Sequence, residues 1–323
     1  MLQADWDRTF SEHSYGFRPQ RSAHQAVARA QQLITSGHGF VVDIDLEKFF
    51  DRVNHDILMG LVAKRVADKR ILKLIRGFLT AGVLADGLIS ATEEGTPQGG
   101  PLSPLLSNLM LDVLDKELET RDLNFVRYAD DCNIYVRSRR AGERVMASIE
   151  GFLAKRLKLS INKAKSAVAR PSERKFLGFS FTGGKQPRRR IASQSLARFR
   201  SRVQAMTRRT RGKSLTQIIE ELSVYLIGWR GYFGFCETPS VLRELDQWTR
   251  RRLRAIAWKQ WKRGTARFAE LRRRGVGRDL AAQTAGSPHG PWRLSNSPAL
   301  TIAMPNAFLA SLGLASVAVA KAA

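Results

Sequence analysis

Positive charge is concentrated in one part of this 323-residue chain, and that concentration is the strongest constraint on how it folds. The formal net charge is +25, from 54 Lys and Arg against 29 Asp and Glu. Acids and bases are mixed among apolar segments up to about Phe181, as in an ordinary globular domain, whereas the window Arg174–Ile219 contains no acidic residue. Because like charges repel in a compact chain, this window indicates a polyanionic partner, with nucleic acid as the first candidate.

The basic window is interpreted as a phosphate-binding surface rather than a solvated face. A short run of like charges is usually only solvated, but this run is long and of one sign, and a second basic cluster follows at 250–254. The residues of the first run that we expect to bind nucleic acid are Arg188, Arg189, Arg190, Arg198, Arg200, Arg202, Arg208, Arg209, Arg211 and Lys213.

Membrane association is the second explanation for the charge, and the apolar pattern argues against it. The only long apolar stretch lies at the C-terminus and is interrupted by Pro305 and Gly313. Residues 1–10 carry acids and no apolar run, so they do not form a signal peptide. Cys132 and Cys236 have no metal-binding spacing and fit a reducing compartment. We therefore expect a cytoplasmic protein with no membrane partner.

The second half of the chain is predicted to be helical. Ser214 and Gln217 form a capping box, and apolar residues then recur at helical spacing up to Gly234, with a further helix starting near Ser240. Three aromatic residues lie on these stripes, and we interpret them as core rather than as platforms for stacked bases: Trp229, Tyr232 and Trp248.

The first half alternates strands with helices, which predicts an α+β domain with an antiparallel sheet. The predicted elements are a strand at 40–46, a helix at 57–79 broken near Lys69, a helix at 104–118, a hairpin at 125–136 and a helix at 143–157.

Two pairs of aspartates lie on these strands. A two-residue period places Asp43 and Asp45 on one face of the first strand, and the hairpin tip supplies Asp130 and Asp131. Two carboxylates about 4 Å apart repel by roughly 4 kcal/mol at an effective dielectric of 20. Converging acids therefore indicate a cation, and carboxylate oxygens suit Mg²⁺. Two such ions activate a 3′-hydroxyl and stabilise leaving pyrophosphate in phosphoryl transfer.

An Asp-Asp pair taken alone is more often a polar turn, but here it is one of several ordered motifs. An Asp-rich strand with Phe50 five residues after Asp45, the run Thr96–Pro104 and the hairpin Tyr128–Asp131 follow one another in the order of a palm polymerase. Together they resemble the reverse transcriptases encoded by bacterial group II introns.

Further blocks extend this resemblance over nearly the whole chain. They are Ser14–Pro19, Ile161–Ser166, Phe176–Phe179 and, for the family's maturase or thumb domain, Tyr225–Phe233. The resemblance implies a right-hand polymerase palm, an antiparallel sheet with packed helices, and partial fingers over 1–182. A basic all-α thumb/maturase domain is implied over 183–275, followed by a C-terminal tail over 276–323.

The resemblance also assigns catalytic roles. Asp45, Asp130 and Asp131 would bind two Mg²⁺ ions, and Asp43, which lies two residues early, would be a supporting acid. Lys165 is similar to the family lysine near the leaving phosphate, where it would donate a proton.

Nucleotide and template contacts are assigned in the same way. Phe50 is similar to the aromatic residue that stacks under the incoming sugar and disfavours a ribose 2′-hydroxyl. Gln98, Gly99 and Gly100 would line the nucleotide and template pocket, where absent side chains let the backbone approach closely. Arg18 is a candidate phosphate contact.

Two departures from the family pattern matter. The chain opens almost directly on the family's second block, so the fingertip blocks that grip the triphosphate are expected to be missing or supplied by a separate N-terminal fragment. A homodimer is the other protein partner considered. The five histidines and two cysteines are scattered, so no nuclease domain is expected.

The expected function is RNA-directed DNA synthesis with a maturase role in splicing. The expected partners are intron RNA, an RNA template, a DNA primer and dNTPs. Two alternatives remain open: an RNA-binding splicing cofactor without polymerase activity, and a degenerate fragment that does neither.

Overall fold

The fold was obtained as a computed structural model, which describes residues 2–81, 83–85, 88–90, 94–97, 100–208 and 212–318. The chain divides into two compact units, Met1–Arg189 and Arg190–Ala323. None of the helices within the described residues combines the length and the apolar character that a membrane crossing requires.

The first unit combines helices with short strands. Its helices are α1 (Leu2–Asp7), α2 (Ala23–Thr35), α3 (His55–Ala63), α4 (Lys69–Thr80), α5 (Ser103–Thr120) and α6 (Arg139–Phe152). Its strands are β1 (Phe40–Ile44), β2 (Val83–Ala85), β3 (Leu88–Ser90), β4 (Asn124–Tyr128), β5 (Asp131–Val136), β6 (Ala167–Ala169) and β7 (Phe179–Phe181), and the boundary between the units falls within β8 (Arg189–Ile191).

A four-stranded antiparallel sheet with the order β4-β5-β1-β6 is the centre of this unit. Side chains alternate between the two faces of a strand, so the register assigns each residue to a face. Val42 pairs with Ile134 and Val168, and these three residues face the core cluster. Asp43 pairs with Asn133 on the opposite face. The predicted placement of Asp43 away from the apolar side is confirmed.

Helices α5 and α6 cover the apolar face of the sheet. A Cβ added to Gly142 in α6 would lie 2.5 Å from Cγ1 of Val168 and 3.3 Å from Cγ2 of both Val42 and Val136. Only a residue without a side chain allows this close approach. The opposite face carries the carboxylates together with buried apolar side chains, those of Val41, Val126 and Tyr135.

The predicted break in the helix at 57–79 is confirmed, and capping explains it. The side chain of Asn54 accepts a hydrogen bond from the amide of Ile57 at the start of α3, and that of Asp68 accepts one from Arg70 at the start of α4. Each cap satisfies a backbone amide that has no partner within the helix. A short 3₁₀ helix at Phe49–Asp51 links β1 to this helical pair.

The second unit is helical. Its helices are α7 (Ser193–Met206), α8 (Leu215–Phe233), α9 (Pro239–Gln260), α10 (Gly264–Arg273), α11 (Arg278–Ala285), α12 (Pro291–Leu294), α13 (Pro298–Ala303) and α14 (Asn306–Ser311). The predicted capping box of Ser214 and Gln217 is present at the start of α8. An α+β unit followed by a helical unit confirms the predicted fold class.

Aromatic residues form much of the core of the second unit. Trp229 packs between Phe199 and Phe233, at ring-centroid distances of 4.6 and 4.7 Å. Its indole is buried, which confirms the core interpretation for this residue. Trp258 is fully buried in the same cluster.

The segment expected to be a C-terminal tail packs into this core as far as residue 318. Val276, Leu300 and Leu309 are fully buried there. The carboxylate of Asp246 in α9 accepts hydrogen bonds from the amides of residues 317 and 318 at 2.9 and 3.0 Å. The short apolar stretches of the segment predicted to be a tail therefore pack into the core of the helical unit.

Candidate active site

The candidate site begins where β1 leaves the sheet. In the register of β1 and β5, Asp43 pairs with Asn133 and Ile44 with Cys132. Continuing that register by one residue places Asp45 opposite Asp131. The sheet therefore brings together two acids that are 86 positions apart in the sequence.

The second pair of acids is presented by the hairpin of β4 and β5. Tyr128 pairs with Asp131, so the turn consists of two residues, Ala129 and Asp130. Ala129 has a φ of 55°, a left-handed conformation that residues with a Cβ rarely adopt. The tight turn places Asp130 and Asp131 at adjacent positions at the end of the sheet.

These acids interact electrostatically. Loss of solvent around the carboxyl group, followed by the charges of Asp130, Asp43 and Asp45, raises the pKa of Asp131 to about 6. Burial and the charge of Asp45 raise the pKa of Asp130, and burial is also the main cause that raises the pKa of Asp43. The raised pKa values of Asp43, Asp130 and Asp131 thus reflect both burial and the negative charge of neighbouring carboxylates.

Asp43 forms an ion pair with an arginine. The guanidinium Nε of Arg174 donates a hydrogen bond of 2.8 Å to its carboxylate. Arg174 also donates to the backbone carbonyl of Lys165. Asp43 faces the cluster, but Arg174 compensates its charge. This pairing is compatible with the predicted role of Asp43 as a supporting acid.

The turn at 162–166 holds Asp45 and places Lys165 beside it. The amide of Asn162 donates to the carbonyl of Asp45 at 2.8 Å, and the amide of Asp45 donates to the hydroxyl of Ser166 at 3.0 Å. Nζ of Lys165 lies 3.7 Å from Oδ1 of Asp45. Because the Lys165 side chain is 66 % exposed, its ammonium group is free to approach a bound phosphate.

Phe50 lies next to the loop predicted to line the nucleotide pocket. Its ring is half-buried and meets Phe49 edge-on at 5.2 Å. The amide of Thr96 donates to the carbonyl of Phe50 at 2.6 Å, and that of Gly95 donates to the carbonyl of Val53 at 2.8 Å. These bonds attach the start of the loop to the Phe50 segment.

Of the three predicted pocket residues in that loop, the structure describes Gly100. A Cβ there would lie 2.6 Å from Cζ of Phe78, so a side chain at this position would displace the Phe78 ring of α4. Gln98 and Gly99 lie outside the described residues.

Arg18 has internal partners rather than a free guanidinium group. It forms an ion pair with Asp7 at 2.8 Å, its side chain is 5 % exposed, and it donates to the carbonyls of Ser11 and Ser14 at 2.5 and 3.0 Å. This arrangement favours a role in folding the 7–18 segment over contact with a phosphate.

Sequence reasoning missed a buried polar group beneath the hairpin. Arg127 of β4 and Asp115 of α5 form a fully buried ion pair at 2.6 Å, and Asn108 of α5 lies beside it. The available signal was a polar stripe at 108, 112 and 115, among the leucine-rich residues of α5, with a spacing of i, i+4 and i+7 that lies on one helix face.

The donor set suits a divalent metal, although no metal-binding arrangement is formed. Among the residues that the structure describes, no group of three or more His, Cys, Asp and Glu side chains is close enough to hold an ion. Asp45, Asp130 and Asp131 nevertheless offer hard oxygen donors, and the raised pKa of Asp131 reflects crowded negative charge that a cation would relieve. The residues present therefore fit a hard cation.

The predicted RNA-binding residues form more than one surface. Arg188, Arg190, Arg198, Arg200, Arg202 and Arg208 are exposed. Arg198 and Arg202 lie one turn apart on α7, whereas Arg200 flanks the buried Phe199 stripe on the other side. Arg189 donates to Gln31 at 2.7 Å, and Lys213 pairs with Glu221. Arg209 and Arg211 lie outside the described residues.

Three arginines of the second basic cluster contact other residues of the second unit. Arg251 lies 4.0 Å from the ring centroid of Trp292 and donates to the carbonyl of that residue. Arg252 donates to the hydroxyl of Thr207 at 2.6 Å, and Arg254 donates to the carbonyl of Met304 at 3.1 Å. These three arginines connect α9 to neighbouring segments.

Comparison with known proteins identifies the class of protein. The family model described as reverse transcriptase (RNA-dependent DNA polymerase) matches residues 1–181. The chain therefore belongs to the reverse transcriptase family, whose members use divalent metal ions. A second family model, described as group II intron, maturase-specific domain, matches residues 196–275. The particular branch is that of the group II intron-encoded proteins, which confirms the resemblance; the domain boundaries and the residue roles stay predictions.

Similar proteins match over part of their lengths. Protein YkfC of Escherichia coli is 32% identical over 227 residues, which is 58% of this chain and 58% of that protein. Group II intron-encoded protein LtrA of Lactococcus lactis is 38% identical over 127 residues, covering 39% of this chain and 21% of that protein. An apo telomerase structure from Candida Tropicalis shows 12% identity and a TM-score of 0.47, covering 96% of this chain and 59% of that chain.

Proposed function

We propose that the chain is an RNA-directed DNA polymerase of a group II intron that also binds intron RNA as a maturase. The observation that carries the polymerase part is the convergence of Asp45, Asp130 and Asp131 from β1 and the β4–β5 hairpin, with Lys165 3.7 Å from Asp45. In this proposal the three aspartates hold two Mg²⁺ ions. When bound, such ions stabilise the attacking and leaving oxygens of a phosphoryl transfer.

The chain's own groups have separate roles in the proposed reaction. The primer 3′-hydroxyl loses its proton to solvent water as its oxygen forms a bond to the α-phosphorus of the dNTP. The bond between that phosphorus and the bridging oxygen of the β-phosphate breaks, and pyrophosphate leaves. Lys165 supplies a proton to that leaving group, because its exposed ammonium lies beside the acids. Phe50 offers the free part of its ring to the sugar, next to the Thr96 segment that leads to Gly100.

The maturase part of the proposal rests on the second unit. The exposed arginines of α7, Arg198, Arg200 and Arg202, present positive charge with no acidic residue between Arg174 and Ile219. Phosphate contacts of this kind supply affinity without base readout, and folded RNA is recognised mostly through shape and unpaired loops.

Primer extension on an RNA template with Mg²⁺ and dNTPs tests the polymerase part. We expect cDNA from the wild-type chain and none from Asp131→Asn, with RNA binding retained in both. Asp122→Asn is the matched control, because it makes the same chemical change at an exposed position outside the site and should leave cDNA synthesis unchanged. Absence of cDNA from the wild type, with salt-sensitive RNA binding intact, would contradict the polymerase part and favour a splicing cofactor.

A further inference from the structure

A buried polar network lies directly beneath the hairpin that carries the acids. Nε and Nη2 of Arg127 donate to the two oxygens of Asp115 at 2.7 and 2.6 Å, and neither side chain has any exposed surface. Two parallel bonds between a guanidinium and a carboxylate fix the plane and the position of the guanidinium. Arg127 is thus held rigidly within β4, two residues before the turn.

The remaining nitrogen of that guanidinium binds the turn itself. Nη1 donates to the carbonyl of Ala129 at 2.8 Å and to Oδ1 of Asn108 at 3.2 Å. Ala129 is the residue with a φ of 55°, a conformation that costs free energy for any residue with a Cβ. A strained turn persists only where its surroundings determine it, and Arg127 is the group that bonds its carbonyl.

The network continues to the 13–16 segment on the other side of β4. Asn108 donates through Nδ2 to the carbonyl of Gly16 at 2.9 Å. The backbone of Arg127 donates to the carbonyl of His13 at 2.9 Å and accepts from the amide of Tyr15 at 2.9 Å. A Cβ on Gly16 would lie 2.2 Å from the amide nitrogen of Ala129. The turn is therefore fixed by the guanidinium and in van der Waals contact with Gly16.

Stability alone does not explain this arrangement. A buried ion pair is often no more stabilising than apolar residues of the same volume. Here, however, the third donor of the arginine is directed at the one strained residue of the turn rather than at a second charge. This hydrogen bond fixes the orientation of Ala129, the residue that immediately precedes Asp130 and Asp131.

We propose that Arg127 is a positioning residue, whose guanidinium, oriented by Asp115 and Asn108, holds the Ala129 carbonyl so that the hairpin presents Asp130 and Asp131 at the end of the sheet beside Asp45, where they would bind a divalent metal. The metal-binding part rests on the proposed function, whereas control of the turn does not. Lysine cannot replace arginine here, because a single ammonium on a flexible stem cannot bond both oxygens of Asp115 and the Ala129 carbonyl with fixed geometry.

Hydrogen exchange of the full-length protein tests control of the turn without any need for catalysis. In Arg127→Lys we expect exchange of the amides at 128–131 to be about tenfold faster or more, and exchange in the second unit to be unchanged. Ile149→Ala is the control for general destabilisation, because Ile149 is fully buried in the same core and far from the turn in sequence. Equal changes in both variants, or no local change in Arg127→Lys, would overturn the proposal.

Mn²⁺ binding to the same proteins, followed by electron paramagnetic resonance, tests the metal-binding part. We expect Arg127→Lys to weaken Mn²⁺ binding several-fold and Ile149→Ala to leave it unchanged; equal binding in all three would overturn this part. If Arg127→Lys fails to fold, Asn108→Leu takes its place, because this variant keeps the ion pair of Arg127 and Asp115. We expect it to speed exchange of the amides at 128–131 by a smaller factor. Loss of wild-type cDNA synthesis would contradict the proposed function alone, since neither of these two readouts depends on catalysis.

Discussion

At the scale of single residues, the site depends on close approaches as much as on charges. The acids were predictable because a two-residue period places Asp43 and Asp45 on one face, and a hairpin tip places Asp130 and Asp131 together. Arg127 was not predictable, because its partner Asp115 is on another element and only the packed fold buries both. Arg18 shows the converse: its motif indicates a ligand contact, but an ion pair with Asp7 uses its guanidinium.

Gly16→Ala adds only one methyl group, but we expect it to shift the hairpin that carries Asp130 and Asp131. The added methyl group would lie 2.2 Å from the amide nitrogen of Ala129, so the hairpin must shift. We expect a loss of about 1–3 kcal/mol in the free energy of unfolding, typical of overpacking, and at least a tenfold loss of primer extension. Denaturant unfolding and cDNA yield measure these effects.

Gly60→Ala is the control for that substitution. Gly60 lies within α3 with nothing within 4 Å of an added Cβ. The change should stabilise the protein by about 0.5–1 kcal/mol, because alanine favours a helix interior over glycine. Equal losses of activity in both variants would contradict the close-approach argument.

Lys165→Gln should lower the rate of nucleotide addition without weakening RNA binding. Removal of a general acid typically costs about 10²–10⁴-fold in rate. Lys163→Gln is the matched control on the same turn, since Lys163 is exposed and pairs with Glu150 at 2.9 Å rather than with an acid of the site. Single-turnover primer extension distinguishes the two, and equal rates for both variants would contradict a proton-donor role.

At the scale of elements, the hairpin combines a strained turn with crowded charge. The sequence predicted its existence and its polar tip, and it predicted the break between α3 and α4. It did not predict that the turn at 162–166 binds Asp45, because those hydrogen bonds join residues more than a hundred positions apart. Pairings of that range are set by the assembled sheet and not by local propensity.

The crowded charge at the hairpin predicts a pH-dependent stability. The pKa of Asp131 is raised from 3.8 to about 6 in the folded chain, so the folded state binds its proton more tightly than the unfolded state. Stability is therefore greatest below about pH 4 for this group and is lost as the pH rises through 6. The surrounding protein displaces part of the water around the Asp131 carboxyl group, but the residue keeps much of its surface in solvent, so solvent screening keeps the effect small.

Thermal melting of the metal-free chain against its Asp131→Asn variant measures this effect. The stability advantage of the variant should grow between about pH 4 and pH 6 and then stay constant. A difference for Asp131→Asn that shrinks with rising pH would contradict the raised pKa.

At the scale of the whole molecule, the division into two units follows the change in charge pattern along the sequence. The sequence located that change because acids disappear after Glu173. Charge counts could not show which arginines are available, since Arg251, Arg252 and Arg254 bond to Trp292, Thr207 and Met304 within their own unit. Nor could local pattern show that residues 276–318 complete the helical core.

Salt dependence of RNA binding tests the proposed surface on α7. Each phosphate neutralised on a single strand contributes about 0.7 to the slope of log affinity against log salt. Replacing Arg198 and Arg202 together by Gln should therefore reduce the slope by about 1.4. Arg254→Gln should lower the melting temperature without changing the slope, and an unchanged slope in the double variant would contradict the assignment.

The contacts around the 11–16 segment also impose an order of events during synthesis of the chain. Ser11 bonds to Asp112, Gly16 to Asn108, and His13 and Tyr15 to Arg127, so residues 11–16 cannot make these bonds until about a hundred further residues have been synthesised. Long-range closure of this kind slows folding. The hairpin at 128–131 therefore reaches the arrangement described above only after residues 11–16 have docked beside it.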